Sequence, residues 1–465
     1  MHILMVSPEL SPVLTEGGIG EGVRALVDAL SVLGETVTAV VPGCPRRETP
    51  TDLVETGSLP NGASFRKVVQ GGLDVIFVDH PVLASRPQLY GEDTGDSESA
   101  HWVGTFCRAV ADFIATHRTS FEVVHAHEWP CAMVPYLLRE RKSGPPCVFT
   151  LHNAMHQGVF APEVVSAFGL GSEHASFDRL EFFGRVNLVK GAIVASRFVT
   201  TVSPTHRDEL LLPEHGELLE GLLASRGPDF AGILNGIDGA KWNPRIDPCL
   251  AAPFDANDLS GKAICKAAAA KEFGFDPSRP FVLSVGRIIE QKGPDLLACA
   301  LPELVAQGAS VRVCGAGDAH LEAELRRATE SLPNGRARML GRVSDEAVHR
   351  LVAAADYLVM PSRYEPCGIV QMYAMRYGAL PIVRRTGGLA DSVRAHTFPD
   401  GTGFFFDDPT SRALAVIATT ALGLYGSSRF AEMQKNAMLI DRGWERPALR
   451  YRSLYERALQ RCHFG

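Results

Sequence analysis

The stretch from Pro361 to Val393, PSRYEPCGIVQMYAMRYGALPIVRRTGGLADSV, is the part of the chain that decides the fold. The apolar run Tyr357 to Met360 just before it is typical of a buried parallel strand. Apolar spacing then predicts a helix over Ile369 to Tyr377 and a second strand over Ala379 to Val383. This order of elements indicates an α/β fold built on a parallel sheet.

Two turns follow the carboxyl ends of these strands and carry residues suited to ligand binding. The first turn contains Glu365, and the second, Arg384 to Gly388, ends in two adjacent glycines. In open parallel sheets ligands bind at this edge, where backbone N–H groups at helix starts suit hydroxyl or phosphate oxygens. Ordinary connecting turns, with Glu365 as a solvated cap, are the simpler alternative. Because both turns carry such residues, we favour a site.

The same stretch resembles a segment of bacterial glycogen synthases and plant starch synthases. These enzymes share the pattern EPCG…Q-x-Y-A-M-R-Y-G…P-I-V-R-R-T-G-G-L-A-D, and so long a match is far more specific than a short motif. The resemblance implies a retaining glycosyltransferase of the GT-B type, in which two Rossmann-like, doubly wound parallel-sheet domains face a central cleft. It also implies that glucose comes from a nucleotide diphosphate sugar.

Composition fits a globular enzyme and argues against several other classes of protein. The 465 residues leave room for two Rossmann-sized domains, and 46% hydrophobic with 21% charged residues is an ordinary globular balance. A net charge of −7 and a pI near 6.1 argue against nucleic-acid or anionic membrane partners. We see no apolar run of membrane-helix length and no signal-peptide pattern. Ten cysteines without a C-x-x-C pair suit reduced thiols, so we expect a cytoplasmic protein.

A Gly-rich loop, Thr15 to Gly20, precedes the first predicted helix, Ile19 to Leu33. Val23 stands where the third glycine of a dinucleotide-binding fingerprint would be. The loop alone is therefore a weak candidate for phosphate binding, and a Rossmann oxidoreductase is disfavoured.

The resembled family has K-T-G-G-L-G-D in this loop, which there approaches the donor diphosphate. This chain keeps Gly17 and Gly18, but Thr15 replaces the lysine, Glu16 the threonine and Glu21 the aspartate. The missing ammonium would be a point charge on the phosphates, so its loss bears on donor affinity or donor identity.

Histidines follow two predicted strands of the N-terminal half. His125 and His127 form a His-x-His pair after the strand Glu122 to His125, but no third-ligand pattern follows, so turn hydrogen bonding is favoured over a metal site. His152 follows the strand Cys147 to Leu151. A lone histidine there is most often a core residue, but F-T-L-H-N…Q-G matches the family motif, whose histidine faces the donor sugar.

One difference from the family concerns the acceptor side, and one further helix is predicted in this half of the chain. The family carries Y-x-D-N-x-x-R-F before the helix predicted over Ala100 to His117, whereas this chain has only Ser97 to Trp102 in the vicinity. Residues 181–195, EFFGRVNLVKGAIVA, show apolar spacing that predicts one long helix.

The second half contributes two cations on one predicted strand-to-helix loop. Arg287 and Lys292 follow the strand Phe281 to Val285, where they can converge on an anion; surface ion pairing is the alternative for either residue alone. The family's R-L-x-x-Q-K-G clamps the donor diphosphate with these two positions. By the same register, the position that often carries an aromatic packing on the base is Val343.

The resemblance covers almost the whole chain and implies its domain limits. The family's interdomain hinge matches the segment Gly232 to Asp238 and Trp242 to Pro244. We expect an N-terminal acceptor domain over 1–240, a donor domain over 241–442 and a last helix over 443–465 that crosses back to the first domain.

The resemblance also implies the site residues. We expect catalytic roles for Glu365, Arg287, Lys292 and His152, with no metal ion and no cofactor, because the nucleotide sugar is a substrate. The donor-binding residues would be Gly17, Gly18, Thr15, Asn235, Pro366, Cys367, Gly368, Thr386, Gly387 and Gly388.

Several functions remain open from sequence. We favour transfer of glucose from a nucleotide diphosphate sugar, ADP-glucose first, to an α-1,4-glucan. A small polyhydroxylated acceptor such as a sugar or aminocyclitol, with a different donor, is the alternative that Thr15, Val343 and the missing acceptor motif suggest. A regulator that binds sugar nucleotide or glucan without catalysis is a third possibility, which intact Glu365, Arg287 and Lys292 argue against.

Overall fold

The computed structural model describes residues 1–15, 17–43, 52–85, 97–117, 120–142 and 144–460; Glu16, one of the replaced loop residues, lies outside them. Contacts divide the chain into two units. One comprises Met1–Gly236 together with Trp444–Gly465, and the other comprises Ile237–Gly443. The chain therefore leaves the first unit once and returns to it for its last helix.

The N-terminal unit is built on a mixed sheet of nine strands within the described residues. Its order is β12-β11-β7-β6-β1-β2-β5-β4-β3, and a small second sheet has the order β8-β10-β9. The strands are β1 (His2–Val6), β2 (Thr36–Pro42), β3 (Leu53–Ser58), β4 (Ser64–Gln70), β5 (Leu73–Asp79), β6 (Val123–His127), β7 (Cys147–Leu151), β8 (Val159–Phe160), β9 (Glu181–Phe182), β10 (Arg185–Asn187), β11 (Phe198–Thr201) and β12 (Phe230–Gly232).

Seven of these strands pair in parallel, and the sequence order reverses between β1 and β6. Strands β3 and β4 add an antiparallel edge that the sequence patterns did not indicate. All but one residue of β3 are exposed, so its sequence lacks the apolar alternation of a half-buried strand. The reversal is a topological switch point, where loops diverge and leave a crevice.

Helices cover both faces of this sheet. They are α1 (Gly18–Val32), α2 (Pro81–Ala84), α3 (Ser97–Thr116), α4 (Met133–Glu140), α5 (Leu188–Ala195), α6 (Pro204–Glu209) and α7 (Glu220–Ser225). Pro204 begins α6 directly after Ser203, whose side chain accepts a hydrogen bond from the backbone N–H of His206, as the Ser-Pro pair predicts.

The long helix predicted over residues 181–195 is wrong in its first half. Residues 181–187 form the hairpin β9–β10, and only α5 is helical. Phe183 and Gly184 reverse the chain with φ of 49° and 77°, and β10 pairs with β8. Strand pairing with a segment distant in sequence thus overrides the apolar spacing of these residues. Asn187 then caps α5 by accepting from the backbone N–H of Lys190.

The second unit contains a six-stranded parallel sheet of order β15-β14-β13-β16-β17-β18 within the described residues. Its strands are β13 (Phe281–Val285), β14 (Ser310–Cys314), β15 (Ala337–Gly341), β16 (Tyr357–Met360), β17 (Leu380–Arg384) and β18 (Phe404–Phe406). Its helices are α8 (Ser260–Phe273), α9 (Pro294–Ala306), α10 (Ala319–Glu330), α11 (Asp345–Ala354), α12 (Val370–Arg376), α13 (Gly387–Ser392), α14 (Ser411–Gly423) and α15 (Ser428–Leu439).

This strand order is that of the Rossmann fold, with its switch point between β13 and β16. The strand predicted over Tyr357 to Met360 is confirmed, and the helix and strand that follow it differ from prediction only by one residue at their ends. Both loops that carry predicted catalytic residues of this unit leave the sheet at the switch point.

The last helix, α16 (Glu445–Gln460), packs on the N-terminal unit beside α1. Ala448, Tyr451 and Tyr455 on one face of it are buried, and the Tyr455 hydroxyl lies 2.7 Å from His125 Nδ1. The C-terminus of the chain thus completes the core of the unit that the N-terminus begins. Among the helices that the structure describes, none has both the length and the apolar character needed to span a bilayer.

Candidate active site

In the second unit, the switch point of the sheet forms an open pocket of about 190 Å³. Arg287 and Lys292 reach it from the loop after β13, and Glu365 reaches it from the loop after β16. The three predicted catalytic residues of this unit therefore line one cavity. Apolar side chains of β14, α9, α10 and the start of α12 form much of the remaining wall.

Glu365 and Lys292 form an ion pair in this pocket. Lys292 Nζ lies 2.5 Å from Glu365 Oε2, and the Ser362 hydroxyl donates to the same oxygen at 2.9 Å. Glu365 is 5% exposed, so its carboxylate is held by partners rather than by water. Arg287 is exposed and makes no hydrogen bond or ion pair with the part of the chain that the structure describes. A rigid carboxylate beside two cations can bind a hydroxylated, anionic ligand.

The two loops are tied to each other. The backbone N–H of Arg363 donates to Gln291 O at 2.7 Å, and Gln291 Nε2 donates to Tyr364 O at 3.2 Å. Arg363 also forms a bidentate ion pair with Asp295 in the first turn of α9. Because the hydrogen bonds and the ion pair act together, Lys292 and Glu365 are positioned as one assembly.

The Gly-Gly turn after β17 supports this assembly by close packing. A Cβ at Gly388 would lie 1.9 Å from Cys367 O, so only glycine fits. The backbone N–H of Gly388 donates to Glu365 O at 3.0 Å. This N–H, which we expected to face the donor, thus links the two turns.

The other residues of this unit that we expected to bind the donor differ in whether they line the cavity. Gly368 lines it, with a left-handed φ of 65°. Pro366, Cys367, Thr386 and Gly387 are buried in the turns behind it and are absent from its lining. Val343 directly precedes Ser344, the N-cap of α11.

In the N-terminal unit, the Gly-rich loop closes on a carboxylate that sequence reasoning missed. Glu9 is fully buried after β1, and its Oε2 accepts a hydrogen bond from the backbone N–H of Gly17 at 2.7 Å. Gly17 is the N-cap of α1, which begins at Gly18. The Thr15 hydroxyl is buried and has no partner among the described residues. The Gly17 N–H, expected to face a phosphate, is therefore engaged by Glu9.

Asn235 lies near the same loop. Its Nδ2 is 3.7 Å from a Cβ built at Gly22 of α1, and the Trp444 ring is 3.9 Å from that Cβ. The structure thus brings Asn235 next to the helix that follows the Gly-rich loop.

His152, which is half-buried, ends a row of neutral histidines whose other members, His127 and His125, are buried. Its Nε2 lies 3.1 Å from His127 Nδ1, while His127 Nε2 lies 2.9 Å from the Met5 sulfur. His125, the third histidine of this row, contacts the Thr150 hydroxyl through Nε2 at 2.7 Å. Burial lowers the pKa of His152 to about 4 and that of His125 to about 3. At neutral pH the His152 ring carries no charge and can exchange a hydrogen bond with a sugar hydroxyl, whereas His125 and His127 are buried and engaged within the protein.

Glu128 is a second residue whose importance the sequence did not indicate. Its carboxylate accepts hydrogen bonds from the backbone N–H groups of Trp129, His152 and Asn153 at 3.2, 3.0 and 3.2 Å. The residue holds a left-handed φ of 65°, which is costly for a side chain of this size. Burial raises the pKa of its carboxyl to about 7. The available signal was the acid directly after His-x-His at a strand end.

The His-x-His pair does not form a group of three potential metal ligands. Within the described residues, the only such group is Asp247, Cys249 and His349. There, Asp247 Oδ2 already accepts from the Tyr377 hydroxyl at 2.5 Å and lies 2.6 Å from His349 Nδ1. This group is internally hydrogen-bonded.

Comparisons with known proteins agree along the whole chain. The starch synthase catalytic domain model matches residues 2–225, and the model of glycosyl transferases group 1 matches residues 266–437. Glycogen synthase of Anaeromyxobacter dehalogenans strain 2CP-1 is 39% identical, with 98% of each chain covered. Glycogen synthase of Rhodospirillum rubrum is 37% identical, also with 98% of each chain covered.

Solved structures give the same result. The catalytic domain of starch synthase IV from Arabidopsis thaliana, bound to ADP and acarbose, matches with a TM-score of 0.90 and 30% identity over 99% of both chains. Sucrose-phosphate synthase from Thermosynechococcus elongatus shares the fold, with a TM-score of 0.65 and 21% identity over 98% of both chains. The chain therefore belongs to the glycogen and starch synthase family of GT-B glycosyltransferases, as its EPCG stretch indicated.

Proposed function

We propose that this protein transfers glucose from ADP-glucose to an α-1,4-glucan with retention of configuration. The observation that carries the proposal is the convergence of Arg287, Lys292 and Glu365 on one pocket at the switch point of a Rossmann-order sheet. The ADP and acarbose bound by the Arabidopsis relative support the choice of nucleotide and of a glucan-like acceptor.

The transfer breaks the bond between C1 of glucose and the diphosphate oxygen and forms a bond from C1 to an acceptor hydroxyl oxygen. The acceptor attacks from the side on which the diphosphate leaves, and its proton passes to the departing phosphate oxygen. Negative charge grows on the diphosphate in this step. We assign Arg287 and Lys292 to that charge, because fixed cations stabilise the transition state more than the ground state.

The remaining assignments concern the sugar. Glu365 accepts hydrogen bonds from hydroxyl groups of the donor glucose, and its ion pair with Lys292 places a positive charge next to that sugar. His152 donates to or accepts from a sugar hydroxyl as a neutral ring, in agreement with its lowered pKa. No step assigned here requires a metal ion or another cofactor.

The experiment is to measure nucleoside diphosphate release from ADP-, UDP- and GDP-glucose, each with and without glycogen. We expect release from ADP-glucose that glycogen stimulates. Release that glycogen leaves unchanged, but that small polyols stimulate, would instead establish a small acceptor. Binding of sugar nucleotide without release under any condition would establish a regulator.

Variants connect the activity to the pocket. We expect Arg287→Ala and Glu365→Gln each to lower the rate by roughly two to three orders of magnitude. Arg350→Ala is the matched control, because Arg350 pairs with Glu272 on the surface of the same unit. Equal rates for Arg287→Ala and the control would refute the assignment of Arg287.

A further inference from the structure

One region of the N-terminal unit exposes large apolar side chains beside the loop of His152. Phe177 is 84% exposed, Phe183 75%, Leu218 62% and Met155 47%. We call these four residues the apolar surface. Single exposed apolar residues are common, whereas neighbouring ones that form a larger patch mark interaction sites.

Backbone strain at two of these residues points in the same direction. Phe183 has a φ of 49° and Leu218 a φ of 67°, both in the left-handed region. A bulky side chain is costly there, and glycine or asparagine would hold either turn with less strain. Neither side chain regains that cost by burial. Backbone strain of this kind clusters at active sites and ligand-binding positions.

Buried hydrogen bonds hold three parts of the apolar surface together. Gln157, which is 7% exposed, donates through Nε2 to Ala154 O and to Glu217 O, each at 2.9 Å. Its Oε1 accepts from Asn187 Nδ2 at 2.5 Å. This one side chain therefore ties the loop of Met155 and the turn of Leu218 to the end of strand β10.

Lys190 attaches Phe177 to the β9–β10 hairpin, which carries Phe183. Lys190 Nζ donates to Phe177 O at 2.6 Å and to Glu181 O at 2.5 Å. The ammonium also lies 5.1 Å from the centre of the Phe177 ring. The two exposed phenylalanines are thus presented by one rigid assembly, since Phe183 forms the turn between β9 and β10.

The apolar surface begins beside the loop of His152, the predicted catalytic residue of the N-terminal unit. Met155 lies three positions after His152, and Glu128 fixes the intervening backbone through the N–H groups of His152 and Asn153. A polymer that places its reacting end near His152 must place its other units along the neighbouring surface. Glucose rings in an α-glucan offer C–H faces that pack on aromatic side chains, while their hydroxyl groups remain in water.

We propose that Met155, Phe177, Phe183 and Leu218 bind the glucose units of the acceptor chain that lie beyond the reacting end. This inference rests on the proposed function, since it names how the same site holds a polymeric acceptor. It assigns these residues to acceptor affinity and leaves the transfer step to the residues already discussed.

The test uses Phe183→Gly and Phe177→Ala in the full chain, with Phe398→Ala as control. Phe398 is 57% exposed and lies in the other unit. Co-sedimentation with glycogen in the absence of donor measures binding without catalysis. We expect each surface variant to raise KM for glycogen by about three- to tenfold, with kcat and KM for maltotriose unchanged. The control should match the parent.

The choice of glycine at position 183 separates lost binding from lost folding. Glycine relieves the left-handed strain, so Phe183→Gly should keep or raise Tm while it weakens glycogen binding. Glycogen binding equal to the parent in both variants would overturn the proposal. The proposal would also be overturned if the variants lost a self-association that the parent shows while their glycogen binding stayed unchanged. In that case the apolar surface would contact a second copy of the protein. Failure of the parent to extend glucan would refute the proposed function, whereas the sedimentation assay would still report on the surface.

Discussion

At the scale of single residues, Glu128 connects the backbone to the candidate site. One carboxylate holds three backbone N–H groups, including those of His152 and Asn153, and it does so from a strained left-handed conformation. The arrangement fixes the loop that carries His152 without any contact to the imidazole ring itself. Glu128 is thus a positioning residue.

The raised pKa of Glu128 makes stability depend on pH. Burial raises the pKa of this carboxyl from 4.5 to about 7. Between these values the folded protein binds a proton that the unfolded chain has released. The contribution of this group to stability is therefore full below the unfolded pKa and is lost as pH rises through about 7.

Glu128→Gln should remove this dependence, because glutamine does not titrate. We expect the Tm of the variant to fall less than that of the parent between about pH 5 and 7, measured by thermal unfolding in buffers of equal ionic strength. Glu432→Gln, on a surface carboxylate that is 58% exposed, is the control and should keep the parent's profile. Identical profiles for parent and Glu128→Gln would contradict the prediction.

Thr15 stands where the resembled family carries a lysine in the Gly-rich loop. In Thr15→Lys an ammonium would return beside the expected diphosphate position, so we expect KM for the donor to fall by about three- to tenfold. Steady-state kinetics with ADP-glucose at saturating glycogen measure it. Thr420→Lys adds the same charge on an exposed face of α14 and should leave KM unchanged. An unchanged KM in Thr15→Lys would show that this loop does not set donor affinity.

At the scale of elements, the strand-to-helix turns of the second unit form one interlocked structure. Gly293, after Lys292, has a φ of 62°, and a Cβ there would lie 2.3 Å from Pro361 O. Gly388 packs equally closely on Cys367 O. These two glycines bring three loops of the sheet edge into backbone contact, which is why Glu365 and Lys292 can meet.

Gly388→Ala should therefore disrupt activity through the backbone. The added methyl group would displace the Cys367 turn and break the hydrogen bond from Gly388 N–H to Glu365 O. We expect a lower Tm and at least about a tenfold loss of kcat/KM, since small displacements of catalytic groups are costly. Thermal unfolding and steady-state kinetics measure the two effects.

Gly423→Ala is the matched control for this substitution. It lies in α14, where nothing is within 4 Å of the new Cβ, so alanine should be neutral or stabilising. If both alanine variants retained the parent's activity and Tm, the proposed interlock of the turns would be refuted.

At the scale of the whole molecule, the chain builds its first unit from both of its ends. Helix α16 packs beside α1, and Tyr455 reaches the buried His125 from the far end of the sequence, 330 residues away. A protein of this construction can complete its N-terminal unit only after the second unit has been synthesised.

Tyr455→Phe tests how much this connection stabilises the first unit. The variant leaves His125 Nδ1 without its partner inside the core, which should cost about 1–3 kcal/mol of stability. Hydrogen exchange should show faster opening of β6 and β7, with residues 237–443 unaffected. Glu456→Gln, on the exposed side of the same helix, should behave like the parent. If the amide protons of β6 and β7 exchanged at the parent's rate in both variants, the prediction would be refuted.

Much of the fold followed from local patterns. Tyr357 to Met360, Cys147 to Leu151 and Phe281 to Val285 have the strand bounds predicted for them, because buried parallel strands are short, continuous apolar runs. The hairpin at 181–187 did not follow, since β10 is specified by pairing with β8, and β9 by pairing with β10, rather than by their own spacing.

The sequence by itself determined the family, the order of strands and helices around the EPCG stretch, and the turns that hold Glu365, Arg287 and Lys292. These features depend on residues adjacent in the chain, so they can be recognised in the sequence. Only the tertiary structure decided that Lys292 pairs with Glu365 across 73 positions, that Gly17 binds Glu9, that Gly388 binds Glu365, and that Glu128 holds the His152 loop. The contact of Gly17 with Glu9 closes a single loop, whereas the other three join loops that follow separate strands, so their partners are set by strand order rather than by sequence spacing.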